Sequence, residues 1–115
     1  MERIVRAIPV KSKEDLIQLV KDIEEYPTSE KRKLLSIFGP SVCEQWYYQD
    51  IEGKPYLLAV IDGENLARAF GTYPKLRDPY FDWFRERVIE LSGVDLAKVP
   101  TAATSEFLYE QTYVE

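Results

Sequence analysis

Glu44, Trp46 and Tyr48 alternate through the run CEQWYYQDIEGKPYLLAVI, from Cys43 to Ile61, and alternation in a strand puts all three on one face. By the same rule Arg6 shares a face with Ile4 and Ile8 in the run IVRAIPV. If both faces look into one interior, a carboxylate, a guanidinium, an indole and phenols converge, the phenols coming from Tyr48, Tyr56, Tyr109 and Tyr113. Such a pocket orients a polar small molecule. Glu44 would be the candidate general base, its pKa raised by burial, and Arg6 would hold an anionic group. The competing reading is structural: Arg6 and Glu44 form a buried or intersubunit ion pair, since buried charges are generally paired, and the aromatic rings fill space.

Several other chemistries are excluded by composition. The chain has no histidine, the commonest acid/base group and metal ligand near neutral pH. With one cysteine, Cys43, it cannot form an internal disulfide, a four-cysteine zinc site or an iron–sulfur cluster. No Gly-rich phosphate loop is present. No metal and no cofactor are therefore expected. Cys43 has no neighbouring cation to lower its pKa, and reads as a small buried hydrophobe. A formal charge of -5 with both signs interspersed offers no basic footprint for nucleic acid, and the short basic run Lys31, Arg32, Lys33 reads as a solvated helix face. Apolar runs such as LLAVI fall well below the roughly 18 residues of a membrane span. The absence of a signal-peptide core near MERIVRAIPV and of a disulfide leads to the expectation of a cytoplasmic protein.

The elements that must position these residues can be read along the chain of 115 residues, taken as one domain over residues 1–115. Arg3 to Val10 is a strand ending near Pro9. Ser12 caps a helix from Lys13 to about Tyr26, with Leu16, Leu19, Val20 and Ile23 at helical spacing and Pro27 as its stop. A short second helix places Leu34, Leu35 and Phe38 inward. The hairpin follows, turning near Asp50 to Lys54 with Gly53 free to take positive φ. Asn65 is the expected cap of a helix carrying Leu66, Ala69, Phe70 and Tyr73. Asp78-Pro79 opens the last helix, whose stripe is Tyr80, Phe84, Val88 and Leu91. Val94 to Ala103 is a loop, and Glu106 to Tyr113, EFLYEQTY, has the composition of a final strand.

This order gives an α+β, ferredoxin-like βαββαβ fold: a four-stranded antiparallel sheet with helices on one face. Large side chains on the other face would form an exposed apolar patch, so a homodimer packed sheet to sheet is expected.

The chain resembles the dimeric α/β-barrel superfamily in element order over nearly its whole length. From SVCEQWYYQDIEGKPYLLAVID to Leu66 it is similar to an uncharacterised family of such domains, in which a strand opens near a glutamate, here Glu44. That strand turns at a motif like Glu52-Gly53-Lys54 and returns through a pair like Tyr56-Leu57. The resemblance implies a barrel of two protomers. Its enzymes include cofactor-independent monooxygenases, sugar mutarotases and haem-dependent chlorite-degrading proteins. Activities that need a histidine do not transfer to this chain. The resulting expectation is a homodimer binding a small organic molecule in or beside the barrel, through Arg6, Glu44, Trp46, Tyr48, Tyr56 and Tyr109. The alternatives are a cofactor-independent oxygenase or isomerase with Glu44 as base, and a protein-interaction module using the aromatic last helix.

Overall fold

Three antiparallel strands in the order β1-β3-β2 carry the helices on one face. The computed structural model describes residues 1–98 and 104–114, and leaves the side chain of Leu34 outside that description. The elements are β1 (Glu2–Pro9), α1 (Lys13–Glu25), α2 (Thr28–Lys31), a 3₁₀ turn (Arg32–Leu34), α3 (Leu35–Phe38), β2 (Cys43–Ile51), β3 (Lys54–Gly63), α4 (Leu66–Thr72), a second 3₁₀ turn (Tyr73–Lys75) and α5 (Pro79–Ser92).

Local chemistry accounts for most boundaries. Ser12 Oγ accepts from the Asp15 amide at 3.1 Å and starts α1. Asp78 accepts from the amides of Tyr80 and Phe81, and Pro79 takes the first position of α5, where no amide hydrogen is needed. Gly93, at φ 76°, closes α5. The β2–β3 turn has Glu52 and Gly53 at positive φ, with Asp50 Oδ1 accepting from the Gly53 amide at 2.9 Å, the geometry that matches strand twist in a tight hairpin. One cap departs from expectation. Asn65 makes no side-chain bond to α4; instead Glu2 Oε1, on β1, accepts from the Leu66 amide at 2.6 Å.

Register fixes the two faces of the sheet. Ile4 lies opposite Ile61, Arg6 opposite Ala59 and Ile8 opposite Leu57, while Glu44, Trp46 and Tyr48 lie opposite Ile61, Ala59 and Leu57 on the other side of β3. These residues face the helices. Two apolar clusters form there, one around Ile4, Leu66, Tyr73 and Phe81, the other around Leu16, Leu19, Leu57 and Leu91. Trp83 and Leu96 pack against both. Ile4, Leu19 and Leu66 are the most completely buried large side chains, each contributing about 1.5–3 kcal/mol through burial. Phe38 is buried, whereas Leu35 is exposed, so α3 turns only one of the expected side chains inward.

The α+β class stands, but the four-stranded ferredoxin-like sheet does not. The sheet has three strands, and the expected last strand, Glu106 to Tyr113, has no strand structure. The segment touches β1 at one point: the Ser105 amide donates to Arg3 O at 2.7 Å, and Ser105 Oγ accepts from the Val5 amide at 2.9 Å. One of these two bonds uses a side chain rather than the backbone, so no ladder is started, and strand-like composition alone does not make a strand without a ladder partner; Phe107, Leu108 and Tyr109 lie exposed. A barrel of two four-stranded sheets loses its basis with that strand. Of the loop expected over 94–103, Val94 to Lys98 includes a turn closed by Lys98 N donating to Asp95 O at 3.0 Å, and 99–103 lie outside the described residues. No helix among the described residues is long and apolar enough to cross a membrane.

Candidate functional site

The helix-facing side of the sheet does not close tightly on the helices. Between the layers lies a concavity of about 450 Å³, bordered by β1, β2, β3, α1 and α5, within the range of about 300–1,000 Å³ of small-molecule sites. Its floor follows from one small residue. Ala59 sits on the central strand between Arg6 and Trp46, and a side chain of one carbon leaves room where Leu57 and Ile61 on either side of it would fill it.

Two polar side chains on the floor face this space, Arg6 from β1 and Glu44 from β2. Among the described residues they form no ion pair with each other. The Arg6 guanidinium lies 6.0 Å from the centre of the Phe70 ring, within cation–π range. Glu44 Oε1 accepts from the indole nitrogen of Trp46 at 2.7 Å.

The Glu44 side chain keeps accessible area, but that area opens into the concavity while protein atoms surround the carboxyl. Desolvation therefore raises its pKa above the ordinary carboxylate value, and the Trp46 hydrogen bond opposes the rise. Two phenols stand within reach of the same charge. Burial chiefly, then the Glu44 charge and Tyr26, pushes Tyr80 up to about 12. Tyr73 is raised further by burial, with Glu44 adding to the rise and the nearby Arg85 charge opposing it. Both phenols are neutral at physiological pH.

The walls are apolar and aromatic. Phe84 lies 6.2 Å from the Trp46 ring and 6.2 Å from the Tyr80 ring; Leu19 of α1 and Val88 and Leu91 of α5 continue the lining. The α5 side chains follow helical spacing from Tyr80 through Phe84 and Val88 to Leu91, so the stripe that packs the helix also walls the space.

The remaining candidates fall elsewhere. Tyr48 is on the helix-facing side but near the hairpin end, where the Lys13 ammonium lies 5.2 Å from its ring centre. Tyr56 has the opposite strand parity to Leu57 and Ala59 and faces the helix-free side. Tyr109 and Tyr113 belong to the exposed segment after Ser105. Cys43, expected as a small buried hydrophobe, is instead an exposed free thiol at the first position of β2, on the helix-free side of the sheet. Among the described residues, no three His, Cys, Asp or Glu side chains gather to hold a metal ion.

The contributors that were not singled out from sequence as site residues include Ala59, Tyr73, Tyr80 and Phe84. Tyr73, Tyr80 and Phe84 carried a packing signal through their helical spacing, and Ala59 carried none.

A buried arginine, Arg85, lies beyond this floor and is structural. Its guanidinium donates to Tyr73 O at 3.0 Å, to Leu76 O and to Asp82 Oδ1 at 2.8 Å, clamping the turn between α4 and α5. No family model, curated protein or solved structure was found to match this chain.

Proposed function

We propose that this protein binds a small, largely apolar organic molecule between its sheet and its helices. The observation that carries the reading is a ligand-sized concavity whose wall is largely aromatic and aliphatic, while the two charged side chains on its sheet floor, Arg6 and Glu44, are not paired to each other. Apolar walls supply affinity, and a few polar groups fix orientation. Arg6 offers five N–H donors and suits an anionic group. Glu44 has a second carboxylate oxygen beyond the one bonded to Trp46, and suits an N–H or O–H donor on the ligand. The preferred occupant is thus an aromatic or aliphatic body carrying an acidic group and a donor. The cytoplasm fits this reading as its setting, supported by the exposed single thiol of Cys43.

A second reading makes Glu44 the general base of a cofactor-independent reaction. Its raised pKa supports it, because a carboxylate shifted towards neutrality accepts a proton more readily. Interaction through the aromatic α5 has less support: Trp83 is half-buried, with its ring 4.8 Å from Tyr26 and 5.9 Å from Tyr80.

Native mass spectrometry of the gently purified full chain tests the binding reading. The expected result is an additional mass that leaves on denaturation and is missing from a folded Ala59→Phe variant, whose ring occupies the floor. The chain mass alone, or the same additional mass in Ala59→Phe, would overturn it.

A further inference from the structure

We propose that the segment from Glu106 to Val114 is an exchange arm: it lies across the helix-free sheet face of a second copy of this chain, whose own arm is returned. The inference depends on neither the concavity nor its ligand.

The arm is an apolar element without a place on its own protomer. Ser105 fastens its start to β1 through Arg3 and Val5. Beyond that clamp Phe107 is 77% exposed, Leu108 82%, Tyr109 73%, Tyr113 86% and Val114 83%. Large exposed apolar side chains concentrated this way mark an interaction surface. Laid out as a strand, the arm would put Phe107, Tyr109, Gln111 and Tyr113 on one side, and Glu106, Leu108, Glu110, Thr112 and Val114 on the other. One side can therefore enter an apolar interface while the carboxylates stay in water.

A surface of matching chemistry exists on the same molecule. Register brings Val5 beside Val60, and Ala7 beside Leu58 and Tyr47, on the helix-free face. Val5 is 53% exposed and Tyr47 54% exposed among the described residues.

The second copy is favoured as partner by closure and by area. Each protomer carries one apolar arm and one open apolar face, so a two-fold exchange covers both on both copies and leaves neither over. At about 3.3 Å per residue the arm spans roughly 30 Å, more than the width of three strands at about 4.8 Å spacing. Aromatic side chains bury about 150–250 Å² each. Three from each arm then give roughly 900–1,500 Å² before the covered faces are counted, and those faces bring the total to the roughly 1,600 Å² of a standard stable interface.

Size-exclusion chromatography with light scattering on the full chain tests this, together with two variants on opposite sides of the contact. The double variant Phe107→Asp/Tyr109→Asp alters the arm, and Tyr47→Glu alters the receiving face at an exposed edge-strand position. The expected result is a dimer for the full chain and monomers for both variants, with dimer affinity weakened at least about 100-fold and circular dichroism unchanged. A monomeric full chain, or a dimer that survives both variants, would overturn the proposal.

Discussion

The indole N–H of Trp46 donates to Glu44, two residues before it on the same sheet face, at 2.7 Å. This bond opposes the desolvation of the Glu44 carboxyl. Trp46→Phe keeps an aromatic ring and removes the donor. The Glu44 pKa should rise further in that variant, and an NMR titration of the carboxyl carbon reads it directly. An unchanged or lower pKa would show that the bond does not stabilise the charged form.

The same shift has a signed consequence for stability. An acid whose folded-state pKa exceeds its unfolded value binds more protons when folded, so its contribution to stability is lost as pH rises through that window and is flat above it. For Glu44 the window opens near the ordinary value of 4.5 and runs upward. Glu44→Gln retains an acceptor for Trp46 and removes the charge. Its melting temperature should exceed that of the unaltered protein by a margin that grows with pH across the window and then levels. A margin independent of pH would contradict the shift. The comparison isolates Glu44 from Asp22, Asp62 and Asp78, whose pKa values are lowered by their partners Arg87, Arg3 and Lys33 and which act in the opposite sense.

Arg85 holds the turn between α4 and α5 by donating to the carbonyls of Tyr73 and Leu76. Arg85→Met fills much of the same space but leaves both acceptors without that donor. A loss of about 2–4 kcal/mol is expected, readable as a lower urea midpoint with unchanged slope. A loss below about 0.5 kcal/mol would mean that water replaces the guanidinium at no cost.

The start of α4 gives a paired prediction. Glu2→Ala removes the acceptor of the Leu66 amide and should cost about 1 kcal/mol, whereas Asn65→Ala, at a position making no cap bond, should cost a few tenths of that. Urea melts of the two variants check the order, and the reverse order would return the cap to Asn65.

Features governed by neighbours in sequence were legible in advance. Ser12 and Asp78 carry their own acceptors into the first turns of α1 and α5, and the Glu52-Gly53 turn fixes the β2–β3 hairpin. Features set by distant partners were not. Glu2 reaches α4 across 64 positions, so nothing near Asn65 announces it. The segment after Ser105 has the β-branched and aromatic residues of a strand, but composition cannot show that the hydrogen bonds joining it to β1 among the described residues are those of Ser105 with Arg3 and Val5. In the candidate site, alternation placed Glu44 with Trp46, but the shared face with Arg6 required the register through Ala59. Parity within β3 turns Tyr56 away. The open floor depends on what Ala59 lacks, which no residue type signals by itself.

The most direct test of ligand binding is a fluorescence titration with 8-anilinonaphthalene-1-sulfonate, an aromatic anion suited to the apolar wall and Arg6. Saturable binding by the full chain is expected, abolished by Ala59→Phe and retained by Phe107→Asp/Tyr109→Asp, which alters only the exposed arm. Absence of saturable binding, or equal binding by Ala59→Phe, would contradict a ligand site between the sheet and the helices.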